Sequence, residues 1–244
     1  MKILICIDDT DNIDSIGTGE LLENMCRALE KEGFGKGSFV TRHQLYICDE
    51  IAYTSHNSSM CCEFECCKDL NDLLVYAKRF LEENSAEGSD PGLCVILCGT
   101  EVPDVTEFGK MAQQLVLTKK EAYDTASKYP GAVFLSEHGG TGDGIIGALA
   151  GAGLRLTGND GRVKGKIYPK EGEEIISVSE ACSIYGLGQV CDEMSGERLK
   201  ECEMIRFEGP TKAIFKDGLV TLPVNKVQGV WVPKPKNGKG RQKK

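Results

Sequence analysis

Apolar positions open the chain in an unbroken run from Ile3 to Ile7, which predicts a buried strand with both faces apolar. After it, TGELLENMCRALEKEGF places Leu21, Leu22, Met25, Cys26 and Leu29 on one side of a helix. SFVTR (38–42), QLYIC (44–48) and SMCCEFECC (59–67) are β-prone, and DLNDLLVYAKRFLEEN (69–84) predicts a second amphipathic helix. SAEGSDPG then turns the chain into the apolar strand LCVILCG (93–99). The mixed polar and apolar stretch from Asp104 to Tyr129 predicts a helix that ends before Pro130, because proline disfavours helical geometry in its predecessor. GAVFLS (131–136) is the next strand, and SEHGGTGDGIIGALAGAG is a glycine-rich loop running into a short helix of small residues.

Strands alternating with helices predict an α/β or α+β domain with a mixed sheet over residues 1–163. Beyond it the texture changes. GNDGRVKGKI carries several turn signals, and Asp217-Gly218 stands between two β-prone runs as a hairpin signal. A smaller β-rich unit is expected over 164–232, followed by a basic, disordered tail over 233–244.

Charge and cysteine content narrow the classes. The 244 residues carry a formal net charge of −8, but the last eleven, KPKNGKGRQKK, hold six positive charges and no acid, so the remainder stands at −14 by difference. An acidic body argues against a general nucleic-acid surface, while the tail can reach a phosphate backbone or serve only as a solubilising end. No window approaches the roughly 18 consecutive apolar residues of a membrane span, and Asp8 interrupts the first apolar run. A cytoplasmic protein without membrane partners is expected. Twelve cysteines in a chain of this size, several inside apolar runs, are expected to be reduced packing residues. On a strand Cys62, Phe64 and Cys66 share one face and Cys61 and Cys67 the other, so these four thiols do not converge on one zinc ion.

The chemistry concentrates in two places. IDDTD puts Asp8, Asp9 and Asp11 on the loop after the first strand, where mutual repulsion makes a hard cation such as Mg²⁺ the natural counterion; Asx-turns or helix capping are the plainer reading. Ser15, Gly17, Thr18 and Gly19 precede the helix, with Thr18 either an N-cap or part of an anion site that uses the open first-turn amides. The second place is the cluster Gly139, Gly140, Gly142, Gly144 and Gly147 between a strand and a helix, an arrangement that can cradle phosphates. No Lys-Ser/Thr follows, so it is not a Walker A loop, and the helix is too short for the dinucleotide fold that GxGxxG at Gly142, Gly144 and Gly147 would otherwise imply. Its structural alternative is a turn in which Gly147 and Gly151 thin one helix face. His138 beside this loop is a candidate for contact with phosphate or a reacting group, and Arg42 is a better anion partner than His43.

IDDTD followed by GTG, together with DGIIGALAGAG, resembles the kinase-like catalytic domain of the archaeal isoleucine-tRNA agmatinylcytidine synthetase family over about residues 1–160. The Arg42 to Asn57 segment, the strand Met60 to Cys67 and the DPG turn have counterparts in outline. The resemblance implies ATP- and Mg²⁺-dependent phosphoryl chemistry. Asp8, Asp9 and Asp11 would hold the metal and Thr18 would match the family's phosphorylated threonine; with His138, taken from its place beside the glycine loop, Asp9 and Thr18 are the expected catalytic residues. Ser15, Gly17, Thr18, Gly19, Arg42, Asn57, Gly139, Gly140, Thr141, Gly142, Asp143 and Gly144 would line the nucleotide. Gly17-Thr18-Gly19 stands where the family more usually has Cys-Thr-Thr, and residues 164–232 would be a shortened ferredoxin-like domain. The expectation is a stand-alone homologue without the family's OB-fold and zinc ribbon. Its acceptor is left open between a small molecule and an RNA held with a partner protein's help, and homo-oligomer formation is left open too. The rival readings are a non-catalytic nucleotide- or anion-binding protein acting as a sensor or subunit, and a thiol-based redox or metal-handling protein.

Overall fold

The computed structural model describes residues 1–49, 51, 56–170 and 174–234; the tail from Pro235 onward, expected above to be disordered, lies outside the described residues. The chain divides into two compact units, Met1–Thr157 and Gly158–Lys244.

The first unit runs β1 (Lys2–Asp8), α1 (Thr18–Lys31), β2 (Gly35–Gln44), β3 (Ser58–Cys66), α2 (Leu70–Asn84), β4 (Gly92–Leu97), α3 (Pro103–Met111), α4 (Lys119–Ala126), β5 (Val133–Glu137) and α5 (Gly144–Leu156). Its strands lie in the order β5-β4-β1-β3-β2, and each neighbouring pair is antiparallel. β1 is central, and its Ile3 to Ile7 run is apolar because helices cover it on both sides. Ile3, Ile5 and Ile7 pack with Leu22 and Met25 of α1 and Leu73 of α2, whereas Leu4 and Cys6 pack with Phe108 of α3 and Leu149 of α5. Cysteines obey the same alternation: Cys61 joins the Cys6 face, Cys62 and Cys66 the opposite one, and Cys67 is exposed. They are packing residues, and among the described residues no group of three or more His, Cys, Asp or Glu side chains is arranged to hold a metal ion.

Two expected elements differ. QLYIC is not a strand of its own: the ladder ends at Gln44, after which Leu45 N–H donates to the Asn57 carbonyl and Tyr46 N–H to that of Ala112. The Asp104 to Tyr129 helix is two helices. Thr118 starts α4 with a capping box, its N–H donating to Glu121 Oε2 at 2.8 Å, so the chain leaves one helix and nucleates another.

The second unit holds β6 (Arg162–Val163), β7 (Glu174–Ser177), α6 (Val178–Tyr185), β8 (Gln189–Asp192), β9 (Met204–Phe207), β10 (Ile214–Lys216), β11 (Leu219–Val227) and β12 (Val230–Pro233). Its strands are ordered β6-β10-β11-β12-β9-β7, with β8 parallel to β11. Val190, Ile205, Phe207, Leu222 and Val224 form its core. Asp217 and Gly218 make the two-residue hairpin turn with φ of 53° and 73°, which suits their positive-φ tolerance. The division at Thr157 falls before the sequence-based boundary at 163, because the intervening residues pair with β10: Arg162 stands opposite Ile214, and Phe215 N–H donates to the Gly161 carbonyl.

Candidate functional site

Antiparallel pairing decides where the loops meet. The register sets Asp8 of β1 opposite Gly92 of β4, and Gly92 opposite Glu137 of β5. The acidic loop after β1, the Asp-Pro-Gly turn before β4 and the glycine loop after β5 therefore leave from the same end of the sheet. The shared row across three antiparallel strands brings them together.

Contacts confirm the meeting. Asp90 N–H donates to the Asp9 carbonyl at 3.0 Å, while Asp90 Oδ1 accepts from Gly142 N–H and Asp90 Oδ2 from the Thr141 hydroxyl, each at 2.5 Å. One aspartate thus ties the acidic loop to the glycine loop. Gly140 and Gly142 take left-handed backbone with φ of 56° and 80°, and a Cβ on Gly140 would stand 2.4 Å from Asp90 Oδ1. The N-terminus of α5 then rides directly over β4, where a Cβ on Gly92 would meet the Gly144 carbonyl carbon at 2.2 Å. Farther along α5, a Cβ on Gly147 would stand 1.6 Å from Asp8 Oδ2, and one on Gly151 would stand 2.0 Å from Ser59 Oγ. Both glycines let the helix lie on the sheet, which is the packing reading of that motif.

The carboxylates feel one another. Asp8 keeps some solvent contact, but its carboxyl is hemmed in beneath α5, and burial first, then the charges of Asp9 and Asp11, push its pKa up to about 8. Asp9, with a left-handed φ of 50°, is pushed up to about 6 by burial and by Asp90, Asp11 and Asp143. Asp11 accepts from the Thr18 hydroxyl at 3.1 Å. Thr18 is therefore the first residue of α1 with its side chain turned to Asp11, and Gly17 occupies the N-cap, which corrects the capping assignment for Thr18. Ser15 shapes the loop, its Oγ accepting from Asn12 N–H at 2.8 Å, and Gly19 is buried in the first turn.

Other expected residues sit elsewhere. His138 follows β5 with its ring turned toward α2, where Nε2 lies 2.8 Å from Ser136 Oγ and Nδ1 3.3 Å from Glu82. Its side chain is 2 % exposed and burial lowers its pKa, so it does not join the aspartates on the α5 side. Arg42 donates to Ser58 at 3.0 Å and to Gln44 at 2.8 Å. Asn57 pins the β2–β3 connection, its side-chain amide donating to the Tyr46 carbonyl at 2.6 Å. Three participants escaped the sequence reading: Asp90, Glu137 and Lys119. Asp90 carried a readable signal, an acid in a Pro-Gly turn directly before a strand; the other two had none.

The donor set is all oxygen, matching a hard divalent cation. Because no three carboxylates converge among the described residues, such an ion would take one or two aspartates and complete its shell with water and phosphate oxygens, as Mg²⁺ commonly does.

Fold and site together define a mixed α/β domain in which an acidic loop and a glycine loop meet at one end of the sheet. The chain is similar in structure to TiaS, an agmatidine synthetase for an isoleucine tRNA, in its complex with that tRNA and ATP: TM-score 0.56, 20 % identity, covering 83 % of this chain and 50 % of that one. The complex of TiaS with the same tRNA, AMPCPP and agmatine gives 0.55 at 19 % identity over 84 % and 52 %, and a tRNA fluorescent labeling enzyme 0.54 at 22 % over 77 % and 45 %. The chain spans about half the length of these structures. A match over more than three quarters of the chain exceeds the first unit, so it extends past the residues that carried the sequence resemblance. No protein-family model and no curated protein sequence matches the chain. No helix among the described residues is long and apolar enough to cross a membrane.

Proposed function

We propose that this protein is an ATP- and Mg²⁺-dependent phosphotransferase or ligase whose chemistry occurs between the acidic loop and the glycine loop. The observation that carries the reading is the row Asp8, Gly92, Glu137, with Asp90 bridging the two loops. Phosphoryl transfer asks mainly for positioning and for charge neutralisation on the transferred group. Asp8 and Asp9 would hold the ion, which supplies neutralisation of the phosphate oxygens. The backbone of Gly140 to Gly144 and the N-terminus of α5 would face the phosphates. Asp11 fixes the Thr18 hydroxyl beside the same loop. His138, Arg42 and Asn57 have structural partners and are not needed by this reading.

The acceptor we favour is RNA. Net acidity belongs to the first unit: residues 1–157 contain 13 Lys and Arg against 25 Asp and Glu, whereas residues 158–244 contain 16 against 12. In the second unit Val163 and Ile167 pack against the core while Arg162, Lys166 and Tyr168 stay exposed, two cations and an aromatic suited to phosphates and stacking.

The test is calorimetry with Mg-ATP followed by ADP or AMP release with and without RNA. Binding in the micromolar range that disappears in Asp9→Asn, plus RNA-stimulated turnover, is the expected result. ATP binding unchanged in Asp9→Asn and no turnover with any acceptor would leave a nucleotide sensor instead.

A further inference from the structure

The mouth of this site is crowded with acid. Asp8, Asp9, Asp11, Asp90, Asp143 and Glu137 all lie on or beside the two loops, and the charges of Asp90, Asp11 and Asp143 act on Asp9. A polyphosphate entering with one divalent ion brings still more negative charge than that ion cancels. A fixed protein cation at the glycine loop would offset it, and the structure holds one that the sequence did not announce.

Lys119 is the first residue of α4, whose start is fixed by the Thr118–Glu121 capping box. From there its ammonium reaches the glycine loop, donating to the Thr141 carbonyl at 2.5 Å and to Glu137 Oε2 at 2.9 Å. Glu137 Oε1 in turn accepts from the Tyr123 hydroxyl, one turn along α4, at 2.6 Å. The group presses on the loop at its tightest point: a Cβ on Gly142 would stand 1.8 Å from Glu137 Oε2 and 2.7 Å from Lys119 Nζ. Both side chains remain about one third open to solvent, so a ligand can reach them.

We propose that Lys119 is a phosphate-binding residue of this site, parked on Glu137 in the free protein and passed to a nucleotide phosphate oxygen on binding, while Tyr123 keeps Glu137 in place. The inference rests on the phosphoryl-transfer reading above. An ammonium has three donors, so Lys119 can retain the Thr141 carbonyl while exchanging the carboxylate for a phosphate. That exchange gives Glu137 the role of a competitor, and competition has a signature that a plain ion pair lacks.

Calorimetric titration with Mg-ATP and, separately, with Mg-tripolyphosphate would compare the native chain with Lys119→Met, Lys119→Arg and Glu137→Gln. Lys119→Met should weaken both ligands by roughly 10- to 100-fold, the range for one charge-assisted hydrogen bond. Lys119→Arg should restore most of the loss. Glu137→Gln should tighten both ligands several-fold, since it frees the lysine and removes a negative charge. Opposite signs for the Lys119→Met and Glu137→Gln variants support phosphate capture. Equal weakening by both means that the pair only braces the loop, and unchanged affinity in Lys119→Met means that the lysine touches no phosphate; either outcome overturns the assignment while the phosphotransferase reading stands. If the native chain binds neither Mg-ATP nor Mg-tripolyphosphate, both readings fall together.

Discussion

Replacing Asp8 by Asn should make the protein more stable and less able to bind Mg-ATP, and the stability gain should depend on pH in a calculable way. The carboxyl titrates at about 8 in the folded chain against an ordinary value of 3.8. A raised carboxyl pKa means that the folded state holds a proton that the unfolded chain releases. Stability is therefore unaffected below about pH 4 and is lost as pH rises toward 8. At 1.36 kcal/mol per unit, the loss reaches about 4 kcal/mol at pH 7 and grows by about 1.4 kcal/mol more by pH 9, as ceilings for a group that keeps some solvent contact. Asparagine fills the same space without titrating. Melting curves at pH 4, 7 and 9 should show the Asp8→Asn chain and the native chain nearly together at pH 4. The gap should then widen, with the step from pH 7 to 9 alone worth roughly 3–6 °C. Mg-ATP should reverse the order by stabilising only the native chain, because a bound cation removes the repulsion that the variant has already lost. A gap that stays constant across this pH range would refute the claim that Asp8 is forced toward its neutral form, and an unimpaired response to Mg-ATP would refute its role toward the ion.

Three other outcomes follow from particular contacts. Gly147→Ala should cost about 1–3 kcal/mol because its methyl would collide with Asp8 Oδ2, and adding Asp8→Ala to the same chain should recover part of the lost melting temperature. Asp90→Ala leaves the Thr141 hydroxyl and Gly142 N–H without their acceptor; hydrogen exchange at the Gly142 amide should speed up by at least about tenfold, and no change would mean that other contacts hold the loop. Incubation with γ-labelled ATP should place phosphate on Thr18, located by mass spectrometry and absent in Thr18→Ala; an unlabelled Thr18 in an active enzyme would reduce its hydroxyl to a partner of Asp11.

Much of the first unit is legible in the chain because its strongest signals are local. Ile3 to Ile7 is apolar on both faces, and the central strand it forms is indeed covered on both. The cysteines of SMCCEFECC separate by strand alternation, a period that any extended segment must obey. Where the reading failed, a capping or pairing choice intervened. The Asp104 to Tyr129 segment mixes polar and apolar residues as a helix would, but α3 ends at Met111 and the Thr118–Glu121 box starts a new helix. QLYIC has β propensity but, among the described residues, no ladder partner beyond Gln44.

The site divides along the same line. Sequence alone determined that aspartates would crowd the end of a buried strand and that glycines would open a helix, since both are properties of a few consecutive residues. Only the tertiary structure decided that these segments meet, because strand order and antiparallel register set Asp8, Gly92 and Glu137 side by side from positions far apart in the chain. It also decided which neighbours matter. Lys119 arrives from α4 and Asp90 from a turn, and His138 is turned away to Glu82 because alternation along an extended strand sends consecutive side chains to opposite faces.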